Sequence, residues 1–237
     1  MIVDGNYVGT ELALFQHAVN WKKYVAKHWR NYLSGTILEV GAGMGSNAVY
    51  LGKDCQHYTL LEPDPELFLI LDKRSKEFSF SASAIQGTTE DLYASQTFDT
   101  IIYYDVLEHI QDDHAEVQRI QKHLNPGGHL IILCPAFPYL FNEFDKAVGH
   151  YRRYTGKYMK EVLTSASSLH LKELYYLDST GLIASLMNKW FLKQGLPSMK
   201  QVQFWDRFIV QISKVSDILT FKTMGKSVIS IAQKSLS

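Results

Sequence analysis

Cysteine is scarce in this chain of 237 residues. The two present, Cys55 and Cys134, stand in no CxxC or Cys/His ligand spacing. A disulfide framework and a structural zinc site are therefore not expected, and a reducing cytoplasm fits best. No stretch approaches the roughly 18 consecutive apolar residues that a membrane-spanning helix needs. Residues 1–10 lack the basic start and apolar run of a signal peptide. Net charge is lacking as well, since 24 Lys and Arg balance 24 Asp and Glu. That removes the general electrostatic case for a nucleic-acid partner. Without repeats, low-complexity runs or an obvious linker, one domain over 1–237 is expected. The remainder is a globular mixture, 46% hydrophobic and 20% charged, long enough to bury a core without staples.

Hydrophobic periodicity supplies the elements. Leu12, Phe15, Val19, Tyr24, Val25 and Trp29 recur at helical spacing and predict a helix over 11–32. Residues 36–40 form a short apolar run ended by glycines, as in a buried strand. Helix is expected over 46–53, 66–77 and 114–124, and strand over 57–61, 84–86, 98–104 and 129–133. Asn125-Pro126-Gly127-Gly128 reads as a turn before the fifth strand. Such alternation implies parallel pairing with helices on both faces. Beyond it, helix is expected over 156–168, 182–193 and 202–219, with a break at Gly195 and Pro197. Strands are expected over 171–177 and 227–232. The expected fold is α/β, with a seven-stranded, mostly parallel sheet and a helical insertion (182–223) before the last strand.

The strongest local signal is Glu39-Val40-Gly41-Ala42-Gly43-Met44-Gly45, directly after the first strand. Glycines there let the backbone turn sharply and approach a ligand, at the carboxyl ends of the strands where open α/β sheets bind. Glu62 ends the second strand about 20 residues later, where an acid accepts ribose hydroxyls. A dinucleotide site would share that acid. However, the dinucleotide fingerprint is GxGxxG, whereas the third glycine here comes one position early. Glu39, inside the first strand, suits a cationic ligand better than a pyrophosphate, which prefers bare helix-terminal N–H groups. A Tyr-x-x-x-Lys pair after the cleft is also missing, which further disfavours an NAD(P)-dependent oxidoreductase.

Residues 38–45 resemble the first motif of class I S-adenosylmethionine-dependent methyltransferases, and Leu61-Glu62-Pro63-Asp64-Pro65 resembles their acidic second-strand motif. Gly87-Thr88-Thr89-Glu90-Asp91-Leu92 is similar to the loop after their third strand. Phe98-Asp99-Thr100-Ile101-Ile102 with Val106-Leu107-Glu108-His109-Ile110 is similar to the fourth-strand motif. Leu124-Asn125-Pro126-Gly127-Gly128 resembles the turn before the fifth strand. Together these cover residues 37–134 in the family's order. The resemblance implies a Rossmann-like fold, S-adenosylmethionine as cofactor and S-adenosylhomocysteine as product. It also implies roles for residues. Glu39, Gly41 and Gly43 would face the methionine part, Glu62 and Pro63 the ribose, Thr89 and Glu90 the adenine, and Asp105 and Val106 the methionine and methyl group. Thr88 stands where the family often carries an acid, leaving Glu90 or a backbone carbonyl for the adenine amine. Residues 1–35 would form an N-terminal lid, 36–134 the cofactor-binding core and 135–237 the acceptor-side half.

A small-molecule acceptor, methylated at oxygen, nitrogen or carbon, is the leading expectation. A lipid-linked or glycan acceptor and a non-catalytic binding module are the alternatives. The usual base-methylating signature is replaced by Tyr104-Asp105-Val106-Leu107, so nucleic acid is not expected. His109, past the fourth strand, and His150, in Gly149-His150-Tyr151-Arg152-Arg153-Tyr154, are the candidate bases, since histidine titrates near neutrality. The equal reading of the second run is an ion-pair network of Asp145, Arg152 and Arg153. Trp21 and Tyr24 on the first helix, with Phe137, Tyr151, Arg153 and Tyr154 after the fifth strand, are the candidate acceptor-binding residues, with core packing as the competing role. Asp112-Asp113-His114 reads as a helix N-cap rather than a metal site, and no metal is expected. The apolar face of 202–219 suits an acceptor cover, a homodimer interface or peripheral contact with a membrane.

Overall fold

The computed structural model describes residues 10–187 and 196–236. Seven strands form one sheet: β1 (Thr36–Val40), β2 (His57–Glu62), β3 (Ala82–Gln86), β4 (Phe98–Tyr104), β5 (Leu124–Pro135), β6 (Leu169–Leu177) and β7 (Ser227–Lys234). Their order across the sheet is β3-β2-β1-β4-β5-β7-β6. The pairs β1–β2, β2–β3, β1–β4 and β4–β5 are parallel, and β7 runs antiparallel to both β5 and β6. The chain moves outward from β1 to β3 and then returns to lay down β4 on the other side of β1. That reversal places a crevice at the carboxyl ends of β1 and β4, where α/β sheets of this kind bind ligands.

The period-2 geometry of the strands divides the core into two layers. Leu38, Ile101, Tyr103, Leu130, Ile132 and Val228 pack on one face. Their neighbours Ile37, Ile102, Ile131, Leu133 and Ile229 pack on the other. Ten helices cover these faces among the described residues. Before β3 lie α1 (Thr10–Phe15), α2 (Val19–Trp29), α3 (Ala48–Leu51) and α4 (Pro65–Ser75). After β4 lie α5 (Asp113–Ile120), α6 (Glu143–Ala147), α7 (Gly156–Thr164), α8 (Ser179–Met187), α9 (Met199–Phe204) and α10 (Val210–Leu219). A π-helical turn, Trp205–Ile209, joins α9 to α10 without a break.

The structure redraws several expected elements. The expected helix over 11–32 divides at residues 16–18, where the Lys22 ammonium donates to the carbonyls of Phe15 and Gln16 at the end of α1. The expected helix over 46–53 shrinks to α3, and α5 ends four residues early in a 3₁₀ turn, Gln121–His123. Asn125 to Gly128 is no terminator. It is absorbed into β5 as a register shift opposite Phe98 and Thr100, with Asn125 Nδ2 bonded to Asp99 Oδ1 at 2.8 Å. A proline and two glycines interrupt a ladder without ending the strand when a bulge takes them up. The expected helix over 182–193 begins earlier, at Ser179. Its residues 188–193 and Gly195 of the expected break lie outside the described residues, as do residues 1–9.

The insertion is bound to the N-terminal helices by buried acids. Asp206 accepts the backbone N–H groups of Asn20 and Trp21, at 3.1 and 2.8 Å, and so caps α2 from a distant part of the chain. Asp217 accepts from Asp178 N, Ser179 N and the Tyr24 hydroxyl. Asp178 in turn holds Gly181 N, Ser213 Oγ and Trp205 Nε1.

Candidate functional site

The loop leaving β1 lies at the crevice. Gly41 has φ +62°, and a Cβ there would sit 2.8 Å from a methyl of Val106, so only a glycine lets this backbone rest on Val106. Gly45 has φ +70° and packs in the same way on Leu71 of α4. Between them, Gly43 N donates to Glu62 Oε2 at 2.7 Å, and Asp64 N donates to Oε1 of the same carboxylate at 3.0 Å. The glycine loop and the acid at the end of β2 are thus directly joined. Glu62 is buried. Burial pushes its carboxyl above the ordinary range, and the two backbone N–H bonds oppose that. Pro63 is exposed beside it, and Asp64 caps α4 by accepting from Glu66 N and Leu67 N.

Glu39 is 1% exposed. It accepts from the Tyr58 hydroxyl at 3.0 Å and from Asn47 Nδ2 at 2.9 Å. Burial drives its carboxyl up to about 7, although both bonds and the nearby Lys22 charge favour the ionised form. Lys22 bonds Ser46 Oγ at 2.9 Å, and its own burial brings the amine down to about 8.

The other wall comes from β4 and β5. Asp105 follows β4 with φ +53°, and Phe137 follows β5 with φ +64°. Neither is a glycine, and strained backbone of this kind concentrates at functional sites. Asp105 is open to the crevice. The surrounding protein still desolvates its carboxyl, which stands near 7 against the opposing charges of Lys226 and Arg153. The loop after β3 is tied to β2 through Gly87 N and Glu62 O at 3.1 Å. The side chains of Thr89 and Glu90 both turn to α5. Thr89 Oγ1 donates to Glu116, and Glu90 pairs with Arg119 at 2.7 Å.

Beyond the crevice, one buried acid organises the second half. Asp145 on α6 accepts Nε and Nη2 of Arg153, each at 2.8 Å, the Nδ1 of His150 at 2.8 Å and the backbone N–H of Asn142. Burial alone would raise its carboxyl, but the bonds from His150 and Arg153 outweigh it and hold the group below its usual range. The expected network of Asp145 with both arginines is therefore corrected. Arg152 turns the other way, to the carbonyls of Ile110 and Gln111 and to Asp113. Arg153 Nη1 is buried without a hydrogen-bond partner among the described residues. His150 lies edge-on to His109, with ring centroids 4.6 Å apart. Burial, helped by the neighbouring His150, lowers His109 to about 3.

The other expected acceptor residues divide into two groups. Phe137 stacks between Tyr139 and Tyr176, and Tyr151 is exposed. Trp21, Tyr24 and Tyr154 are buried. Trp21 packs on Tyr24 and Trp205, the Tyr24 hydroxyl is bonded to Asp217, and the Tyr154 hydroxyl is bonded to Asp113. Asp112 caps α5 through Ala115 N, as its position predicts. Sequence reasoning missed Lys22, Asn47, Tyr58 and Lys226. They adjoin the site only through the fold; the one advance signal was the placing of Lys22 in the expected lid over residues 1–35.

A family profile described as "Methyltransferase domain" matches residues 15–175. A ubiquinone biosynthesis O-methyltransferase from Xylella fastidiosa is 33% identical over 121 residues, covering 49% of this chain and 48% of that protein. The counterpart from Rickettsia akari is 27% identical over 109 residues, covering 46% and 43%. This chain thus spans about half the length of those relatives. Among solved structures, the N-methyltransferase NodS from Bradyrhizobium japonicum, in complex with S-adenosylhomocysteine, aligns with a TM-score of 0.58 at 16% identity, covering 93% of this chain and 87% of that one. An S-adenosylmethionine-dependent methyltransferase from Clostridium acetobutylicum aligns with a TM-score of 0.63 at 10% identity, covering 97% and 100%.

Proposed function

The chain belongs to the methyltransferase-domain family, and from that premise we propose that it methylates a small-molecule acceptor, using S-adenosylmethionine as methyl donor. The observation that carries this reading is the 2.7 Å bond between Gly43 N and the buried Glu62 carboxylate. It creates a site with a bare glycine backbone on one side and an acid of free acceptor capacity on the other. When bound, S-adenosylmethionine supplies a sulfonium methyl, electrophilic enough for direct displacement. Gly41 and Gly43 offer close backbone approach, with Glu39 beneath them and Asp105 and Val106 on the facing strand end. Glu62, with Pro63 beside it, receives the ribose hydroxyls, and the main chain of Thr89 and Glu90 flanks the adenine.

On the acceptor side, Phe137 and Tyr151 provide aromatic surface. Arg153 Nη1 provides a donor to an anionic group. His109 and His150 face the acceptor's reacting atom and manage its proton. His150 is oriented by Asp145, as a catalytic imidazole is by a carboxylate, whereas His109 stays neutral at working pH. Alignment and exclusion of water then account for the rest of the catalysis.

Calorimetry tests this reading. S-Adenosylmethionine and S-adenosylhomocysteine bind and NAD does not; tight NAD binding with no response to the other two overturns it. His150→Ala lowers kcat by about 100-fold or more with an accepted substrate. Its affinity for S-adenosylhomocysteine stays within about twofold, as expected for a group placed away from the cofactor.

One observation favours a lipid-borne acceptor within this reading. Phe204, Phe208, Ile212, Val215, Ile218, Leu219 and Phe221 are all exposed on or just beyond α9 and α10. The two acids between residues 196 and 226, Asp206 and Asp217, are buried, while Lys200 and Arg207 are exposed. An apolar face whose exposed charges within residues 196–226 are all cationic matches an anionic membrane surface. That relatives of this chain are ubiquinone biosynthesis O-methyltransferases agrees with a lipid acceptor. The protein is expected to sediment with phosphatidylglycerol-containing vesicles and not with pure phosphatidylcholine. Phe204→Glu/Phe208→Glu abolishes the effect; failure to sediment, or a dimer that buries this face, removes the membrane reading.

A further inference from the structure

The 3₁₀ turn Leu107–His109 and the loop after α6 bring together three side chains. Glu108 has no exposed surface, and neither of its carboxylate oxygens has a hydrogen-bond partner among the described residues. The Cys134 thiol lies beside it, a weak donor at best. A carboxylate ionised out of water with no partner costs several kcal/mol; burial and the neighbouring Asp105 push this group well above its usual range, and a bound cation would stabilise its charged form.

The candidate co-ligands beside it are imidazoles. His150 Nε2 lies 3.8 Å from Glu108 Oε1. One ligand atom each from Glu108, His109 and His150 lies within 4.8 Å of the others. Ligand atoms on a first-row ion, each about 2.0–2.2 Å from it, are separated by roughly 3–4 Å, so small rotations of the two rings close the site. His150 is already prepared for this. Its Nδ1 donates to Asp145 at 2.8 Å, which leaves the Nε2 lone pair directed away from that bond. A carboxylate behind a histidine is the arrangement that orients metal-binding imidazoles. The Asp145 carboxylate is itself fixed by Arg153 and Asn142 N. The backbone also holds the two segments together, with Tyr151 N bonded to Glu108 O at 2.8 Å.

We infer that Glu108, His109 and His150 bind one divalent transition-metal ion beside the cofactor crevice. Two imidazoles and one carboxylate favour a zinc-, manganese- or iron-type ion over magnesium or calcium, which prefer all-oxygen sets. Three protein ligands leave coordination positions open. On the methyltransferase reading, which this inference rests on for its substrate, those positions take an oxygen of the acceptor, such as a hydroxyl. Bound to the ion, that hydroxyl loses its proton more readily, to water at the crevice, so His109 and His150 act on the proton through the ion rather than as free bases. Asp112-Asp113-His114 offers no comparable site. Asp113 is held by Arg152, Tyr154 and Tyr158, and Asp112 by Ala115 N.

The test uses the full chain, stripped with chelator and titrated with Co²⁺ as the spectroscopic probe. One Co²⁺ per chain is expected, with a visible d–d spectrum and an affinity that excess Mg²⁺ leaves unchanged. Glu108→Gln and His109→Ala each weaken Co²⁺ binding by about 30-fold or more, given that even outer-shell changes cost 10–100-fold. His170→Ala, on the far edge strand, leaves it unchanged. Circular dichroism confirms that the variants are folded, and the near-isosteric Gln relieves the buried charge rather than disrupting packing. Absence of a stoichiometric Co²⁺ spectrum, or Glu108→Gln titrating as the parent protein does, overturns the inference. Calorimetry with S-adenosylhomocysteine on the same samples separates the two readings. A protein that binds S-adenosylhomocysteine but takes up no Co²⁺ sinks the metal site alone, whereas one that takes up Co²⁺ but does not bind S-adenosylhomocysteine sinks the methyltransferase reading and leaves the metal site standing.

Discussion

Glu62→Ala weakens binding of S-adenosylmethionine by about two orders of magnitude in a calorimetric titration. A carboxylate that accepts two ribose hydroxyls makes charge-assisted bonds of about 1.5–3 kcal/mol each, and tenfold in affinity is about 1.4 kcal/mol. The same change leaves Gly43 N and Asp64 N without their acceptor, so the glycine loop loses its fixed position as well. Glu62→Gln keeps a carbonyl acceptor but removes the charge, and falls between the two. Unchanged affinity in the alanine variant would take Glu62 out of the cofactor site and remove the observation on which the functional reading stands.

The second large effect is on stability. Asp145→Ala lowers the melting temperature by about 10 °C. Asp145 has no exposed surface and satisfies Arg153, His150 and Asn142 N together. Removing one partner of a buried pair costs about 3–5 kcal/mol, because the guanidinium is left buried and uncompensated. In a domain of this size each kcal/mol is worth about 2–4 °C. Arg153→Lys does not preserve stability, since an ammonium cannot reproduce the two parallel bonds of the guanidinium fork. Calorimetric melting of the variants checks both statements. A shift below about 2 °C for Asp145→Ala would mean that the pair is dispensable and that His150 is oriented by something else.

The sheet was legible in the sequence because strand identity is a nearest-neighbour property. β1 and β4 coincide with their expected bounds, since short apolar runs closed by turn residues leave the chain little choice. The cofactor loop was legible for the same reason. Positive φ at Gly41, Gly43 and Gly45 is a local demand of the turn, and an acid at the end of the next strand lies one crossover away. The exceptions are instructive. Asn125-Pro126-Gly127-Gly128 reads locally as a stop, yet pairing with β4 on one side and β7 on the other carries β5 through it. At 16–18 a continuous helical pattern is broken because a distant requirement, Lys22 meeting both the end of α1 and Ser46, overrides propensity.

By itself, then, the sequence determined the order of strands and helices, the glycine turn, the acid at the end of β2 and the capping aspartates, all of which depend on residues a few positions apart. Only the tertiary structure decided the partners of the charged groups. Arg152 and Arg153 are chemically identical and adjacent, but successive side chains of an extended segment point to opposite sides, so one meets Asp113 and the other Asp145. The same holds for His150, which reaches Glu108 across the loop after β5, and for Asp206, which caps a helix 185 residues earlier. Long-range electrostatic pairing depends on distance in space and on exclusion of water, and a linear string of residues records neither.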